Sequence, residues 1–212
     1  MRRWSILGFV ALLLAGTMAA VATEDAHECD SPESERRIKA CTELIETPGI
    51  SLARRATAYA NRALSYSLRG LYETAIGDYN KAIELFPDFA VALNNRAWAY
   101  FKWGRAADGM PDVERSLAID PFSSHSLDTR AHIQQTLGNP TQAMTDYQAA
   151  MVYGGTRMVT LYQCGLKMQR LYSGPNDGVI SRELLQALRV CIEQGAACDP
   201  LPPDEECREA VS

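Results

Sequence analysis

Three groups of residues have types and spacings that could do chemistry. The first is a short run with His125, Asp128 and His132. The two histidines are seven apart, whereas a helical metal pair sits at i, i+4. They read as solvated surface residues, with no metal called for. The second group is the cysteines, six in number. No Cys-x-x-Cys pair occurs and no histidine lies near the last three, so zinc spacing is absent. An even number of cysteines then reads as three disulfides. The third group is Trp98 and Phe101, three apart and on one helical face, which suits an anchor for a partner's apolar side chain. No Ser/His/Asp set sits in a recognisable motif and no phosphate loop appears, so the chain is read as a non-enzyme without cofactors.

Positioning these groups falls to a chain of 212 residues with net charge −5. Arg2 and Arg3 precede an apolar run from Ile6 to Ala15, and Ala20-Val21-Ala22 offers a small-x-small cleavage site. This is the plan of a secretory signal over residues 1–22. The competing reading is a membrane anchor, but the run is shorter than the ~20 apolar residues a span needs. Loss of Arg2 and Arg3 with the leader makes the charge more negative, which disfavours nucleic acid as a partner. The expected product is exported, periplasmic or secreted after cleavage near Ala22, without a membrane span.

From 56 to 155 the sequence repeats with a period of 34. Ala63, Ala97 and Ala131 align, as do Gly70, Gly104 and Gly138, and Pro87 with Pro121. Glycine ends the first helix of each unit in a left-handed cap, and proline stops the second. "AYANRALSYSLRGLYETAIGDYNKAIELFPD" and "ALNNRAWAYFKWGRAADGMPDVERSLAIDP" carry these columns, and "SLDTRAHIQQTLGNPTQAMTDYQAAMVYGG" keeps their register. The pattern resembles the tetratricopeptide repeat. The resemblance implies an all-α solenoid of three helix pairs (56–89, 90–123, 124–155) with a concave groove for a protein or peptide. Gly109 and Pro111 interrupt the second unit, so its second helix is expected to begin late, with Asp108 as cap. Asn139-Pro140 gives the third unit a clean start.

Two further features follow the same register. Arg62, Arg96 and Arg130 recur with Asp78, Asp112 and Asp146, one column on each helix, which suits an internal ladder of bidentate ion pairs. The other reading has the arginines reaching for a ligand carboxylate. The groove stripe holds Thr57, Ala60, Leu64 and Ser67, then Val91, Asn94, Trp98 and Phe101, then His125, Asp128, His132 and Gln135. Asn61 and Asn95 match asparagines that hold a peptide backbone in the resembled family. That family's clamp for a C-terminal carboxylate needs basic groove residues. Only Lys102 lies close, and Asp128 opposes it, so no such clamp is expected. Alternatively, Trp98 is covered by a neighbouring helix or by the N-terminal segment.

The ends differ from the repeats. In segment 23–55, Ser31-Pro32 should cap a helix over 33–46 whose Ile38, Cys41 and Ile45 cover the first repeat. In segment 156–212, residues 159–191 resemble a small three-helix peptidoglycan-binding domain through Val159, Gln163, Leu166, Tyr172, Gly174, Asp177, Gly178, Ala187 and Leu188. Tyr172, Gly174, Asp177 and Gly178 would form a wall-binding loop if that activity persists, which makes peptidoglycan the alternative partner. Ser181, Leu184 and Arg170-Leu171 depart from the pattern, and "CDPLPPDEEC" is too proline-rich for a third helix. Cys164 and Cys191 flank Asp177-Gly178 symmetrically, so the expected disulfides are Cys29–Cys41, Cys164–Cys191 and Cys198–Cys207. The second would staple a C-terminal helical hairpin.

Overall fold

A computed structural model describes residues 29–201 and Cys207. The leader and its cleavage site near Ala22 lie outside the described residues. The fold is all-α, and no described helix is long and apolar enough to cross a membrane. The chain parts into two compact units between Pro87 and Asp88, in the loop that follows the second helix of the first repeat.

The first unit contains α1 (Ser34–Glu46), α2 (Leu52–Leu68) and α3 (Tyr72–Leu85). Ala63 on α2 and Ala75, Tyr79 and Ala82 on α3 are fully buried, since small side chains let the two helices approach. Helix α1 lays Ala40, Cys41 and Leu44 against Ala58 of α2, and Cys29 joins Cys41 in a disulfide. The helix starts later than Ser31-Pro32 would set. Ser31 Oγ instead accepts the backbone N–H of Glu33, so the hydroxyl closes a tight turn and Glu33 takes the cap position.

The second unit contains α4 (Ala90–Lys102), α5 (Ala106–Ile119), α6 (Ser124–Thr136), α7 (Pro140–Met168) and α8 (Arg182–Glu193). Helix α5 begins at Ala106, on schedule, which corrects the expected late start at Asp108. Asp108 lies in the first turn and takes Arg105 as an ion-pair partner at 2.6 Å. The reason is packing. A Cβ on Gly109 would sit 2.7 Å from the Ala97 carbonyl, so this position is needed, in helical register, against α4. Pro111 and Ala107 are both exposed, so the carbonyl that Pro111 leaves unpaired lies on the solvent side of the helix.

The first helix of every repeat ends alike. Gly70, Gly104 and Gly138 have φ of 74°, 77° and 78°. Each following residue donates its N–H five residues back, Leu71 to Tyr66, Arg105 to Tyr100 and Asn139 to Gln134, all at 2.9 Å. This is the Schellman closure, which a left-handed residue permits. Where Pro87 and Pro121 stop earlier units, the corresponding residue is Gly155. It bends α7 with φ 62° and ψ −157° instead of opening a loop. The half of α7 beyond the bend packs Met158, Val159, Tyr162 and Leu166 against Leu184, Leu188 and Ile192 of α8.

The C-terminal disulfides differ from expectation. Cys164 bonds Cys207 and Cys191 bonds Cys198, so neither Cys164–Cys191 nor Cys198–Cys207 forms. Symmetry about the turn placed the two helices correctly but ignored helical phase. Cys164 follows Tyr162 by two residues, about 200° round the helix, and so turns from the α8 contact. Cys191 lies on the buried face of α8. Apolar packing holds the hairpin together, and the disulfides tie the tail onto it.

Candidate functional site

The arginine and aspartate columns meet at the helix seams. Arg62 Nε and Nη2 donate to Asp78 at 2.7 and 2.8 Å, and Arg62 Nη1 also reaches Thr42 of α1. Arg96 grips Asp112 with two bonds of 2.6 Å. Arg130 grips Asp146 at 2.8 and 2.7 Å. Hydrogen bonding to the aspartate is the main cause that holds Arg62 and Arg130 above the ordinary guanidinium pKa. These arginines are structural, turned toward acids of their own chain.

In the first unit, Asn61 gives its amide to Asp30 Oδ1 at 2.7 Å and to the Cys29 carbonyl at 3.3 Å. The N-terminal segment thus occupies it. Leu64 beside it is half-buried.

In the second unit, α4 and α6 bring the aromatic and polar stripes together. Trp98 and Phe101 have ring centroids 5.0 Å apart, and His132 stands edge-on to Trp98 at 5.3 Å. The Lys102 ammonium lies 5.5 Å over the Trp98 ring. Asn94 is buried, with Nδ2 on Asn95 Oδ1 at 3.4 Å, while its Oδ1 has no partner among the described residues. His125 is exposed.

Asp128 and His132 are not solvated groove residues. Both are buried, at 6% and 3% exposure. The segment 195–201 lies against His132 and Gln135, and Tyr162 closes over Asp128. Gln135 Nε2 donates to the carbonyls of Gly195 at 2.6 Å and Cys198 at 2.7 Å, and the Tyr147 hydroxyl donates to Gln135 Oε1 at 2.8 Å. The Tyr162 hydroxyl donates to Asp128 Oδ1. His132 Nδ1 contacts the Asp128 carbonyl at 2.9 Å, and Nε2 contacts Asp199 Oδ1 at 3.1 Å. Lys102 Nζ approaches the other Asp199 oxygen at 3.9 Å.

Both ring nitrogens of His132 therefore face acceptors, so the ring satisfies both contacts only as the imidazolium. Burial, the largest influence, pulls its pKa down. The charge of Asp128 and the hydrogen bond and charge of Asp199 outweigh this and raise it. Burial also works to raise Asp199, but the hydrogen bond and charge of His132 hold it below the usual carboxylate value. Burial lifts Asp128 despite His132 and Tyr162, and burial first and Asp128 next push Tyr147 and Tyr162 well above the ordinary phenol. A pocket of about 220 Å³ remains beside Asp199, lined by Phe101, Lys102, His132, Gln135, Thr136 and Cys198.

The turn 172–179 is also braced inward. Gln163 donates to Asp177 Oδ1 at 2.8 Å and accepts the Gly178 N–H at 2.9 Å. The Tyr172 hydroxyl donates to the Pro175 carbonyl at 3.0 Å. A Cβ on Gly174 would strike Tyr172, and one on Gly178 would strike Thr156. All four residues of the suspected wall-binding loop are thus engaged in shaping it.

Residues 56–89 and 78–109 each match a family model described as tetratricopeptide repeat. The chain carries tetratricopeptide repeats. The Hsp70-Hsp90 organizing protein of Triticum aestivum is 29% identical over 123 residues, 58% of this chain and 17% of that protein. Sperm-associated antigen 1 of Homo sapiens is 30% identical over 127 residues, 55% and 12% of the two chains. Small glutamine-rich tetratricopeptide repeat-containing protein 2 of Mycosarcoma maydis is 27% identical over 137 residues, 63% and 38%. The chain thus spans well under half the length of these relatives. The crystal structure of MamA agrees in fold, with TM-score 0.54 at 15% identity, over 68% of this chain and 83% of that one.

Sequence reasoning placed Trp98, Phe101 and Lys102 together but missed Tyr147, Tyr162 and Asp199. One signal was available. Asp128 and His132 stand at i, i+4, where a carboxylate and an imidazole share a helix face.

Proposed function

We propose that this protein is an exported, periplasmic or secreted, adaptor that binds a partner protein or peptide on the α4–α6 face of its second unit. The observation that carries the reading is the half-buried Trp98–Phe101 pair with the Lys102 ammonium over the Trp98 ring. An apolar anchor site beside an ammonium suits a peptide that presents an apolar side chain next to an acidic group. The name of one relative, an organizing protein for Hsp70 and Hsp90, describes a scaffold and supports the same class of role. Export is supported by the disulfide pairing of all six cysteines, which an oxidising compartment sustains. Asn95 and His125 border the face.

The test is affinity capture of exported proteins on the leaderless chain. Trp98→Ala should lower capture by about thirtyfold, as loss of a hot-spot aromatic does, with the helical circular dichroism unchanged. Equal capture by both proteins would end this reading.

Peptidoglycan binding is the second reading. It is favoured by an open pocket of about 550 Å³ beside the hairpin, lined by Leu171, Arg182, Glu183, Gln186, Ala187 and Val190. Co-sedimentation with intact peptidoglycan that Arg182→Ala abolishes would establish it.

A further inference from the structure

The α4–α6 face already holds something. Segment 195–201 crosses it as a ligand would, with two backbone carbonyls on the Gln135 amide and one carboxylate on His132 and Lys102. The Cys191–Cys198 disulfide closes a separation of only seven residues and delivers Asp199 to this place. The seat is built for an anion. His132 is held as a donor toward Asp199 by the Asp128 carbonyl behind it, and Lys102 is the nearby ammonium. Asp128, the acid that would repel a carboxylate, is occupied by the Tyr162 hydroxyl and by the imidazole. The seat is also incompletely filled, because the 220 Å³ pocket opens next to Asp199.

We propose that Gln135, His132 and Lys102 form a receptor for an extended segment bearing an acidic side chain, occupied from within by Asp199, and that an external acidic segment binds by displacing residues 195–201. Charge complementarity selects the occupant. A neutral segment would leave the imidazolium and the ammonium without their counter-charge, and a basic one would meet them directly. The pocket beside Asp199 is where a competitor gains its first contacts before the strap leaves. The inference rests on the adaptor reading only in naming the same face, and it needs no natural partner to be tested.

The probe is a fluorescent peptide of residues 195–201 carrying Cys198→Ser, titrated into the leaderless protein and read by anisotropy. Asp199→Asn in the protein weakens the strap, so the peptide should bind about tenfold more tightly than to the unaltered chain, as the competent fraction rises. Asp199→Asn in the peptide should abolish binding, and Lys102→Ala in the protein should weaken it. Hydrogen exchange should show 195–201 released in the Asp199→Asn protein, with α4 to α8 still protected. Equal peptide affinity for the unaltered and Asp199→Asn proteins overturns the inference, because the strap then does not compete. Release of the strap without peptide binding overturns it as well, because the segment is then only a cover. Peptide binding combined with capture that ignores Trp98→Ala would sink the adaptor reading and leave this one standing.

Discussion

Each unit has a groove-side polar residue engaged by a Cys-Asp dipeptide from a chain end, and the two engagements differ in kind. In the first unit, Cys29-Asp30 meets the neutral amide of Asn61. In the second, Cys198-Asp199 meets the imidazole of His132 and the ammonium of Lys102. The first tether is fixed by a disulfide to the adjacent helix, 12 residues away. The second depends on two linked disulfides, one spanning 43 residues. A local tether with a neutral contact makes a fixed cap. A long-range tether ending on buried charge makes a contact that pH and a competing anion can address.

The largest effect expected from breaking this comparison is on the tethers. Loop-closure entropy ranks the disulfides by span, giving about 4 kcal/mol for Cys164–Cys207, about 3 for Cys29–Cys41 and about 2.4 for Cys191–Cys198. Paired serine substitutions followed by denaturant melts should reproduce that order. Loss of Cys191–Cys198 should also release 195–201 to hydrogen exchange while the rest of the unit stays protected. An inverted order would show that native contacts of the tail, not chain closure, set its stability.

Next comes the ladder, which both units share. Arg96→Ala leaves Asp112, only 12% exposed, without its bidentate partner, which should cost about 2 kcal/mol. Arg62→Ala should cost slightly more, because Thr42 of α1 loses a partner too. Urea denaturation checks both. A change in partner capture without a change in stability would instead place these arginines in binding.

The pH response separates the two dipeptide contacts. His132 has a raised pKa in the closed state, so the strap's stabilisation is fully present below the ordinary histidine value and is lost as pH rises through the raised one. Asp199 has a lowered pKa, so its share is present above the ordinary carboxylate value and is lost as pH falls through the lowered one. Protection of 195–201, with exchange rates corrected for pH, should therefore fall at both ends. At the N-terminal contact the Asn61 amide does not titrate, so residues 29–31 should show no alkaline loss. His132→Gln should remove the alkaline limb from the strap.

What could be read in the sequence follows the range of the forces involved. The period of 34 displays the seams, because alanine, glycine and the Arg/Asp pairs must recur wherever helix pairs stack. The N-terminal cap is legible for the same reason, its cysteines lying one helix apart. The C-terminal tail is not. The crossed pairing depends on the helical phase of Cys164 and on where a proline-rich segment returns, and neither has a local signature. Asp128 and His132 read as open groove residues because what covers them comes from the second helix of their repeat and from beyond it. Their partners Tyr147, Tyr162 and Asp199 come from 19, 34 and 71 residues beyond Asp128. The proline in α5 does not delay the helix, because the demand of Gly109 packing on Ala97 outweighs one exposed, unmade hydrogen bond.

The smallest effect sharpens the relation between the repeats and the C-terminal hairpin. Beyond Gly155, α7 ends as the first helices of the repeats do, with Arg170 N–H on the Lys167 carbonyl at 2.8 Å and Leu171 N–H on the Leu166 carbonyl at 2.9 Å. This is the same Schellman closure, but the left-handed residue is Arg170, at φ 60°, where each repeat has glycine. An L side chain there costs about 1 kcal/mol, which glycine avoids, at the price of a freer unfolded chain. Arg170 is exposed, so little packing is lost with its side chain. Arg170→Gly should therefore raise stability by about 0.5 kcal/mol and leave the helical spectrum unchanged. Gly138→Arg, the reverse exchange in a repeat, should destabilise by about 1 kcal/mol. Thermal melts of the two variants, run beside the unaltered chain, test whether the hairpin's first helix uses the repeat's own capping device. Opposite signs of the two shifts support a shared cap. Destabilisation by both would mean that Arg170 makes a contribution of its own at the hairpin and that the likeness ends at backbone geometry.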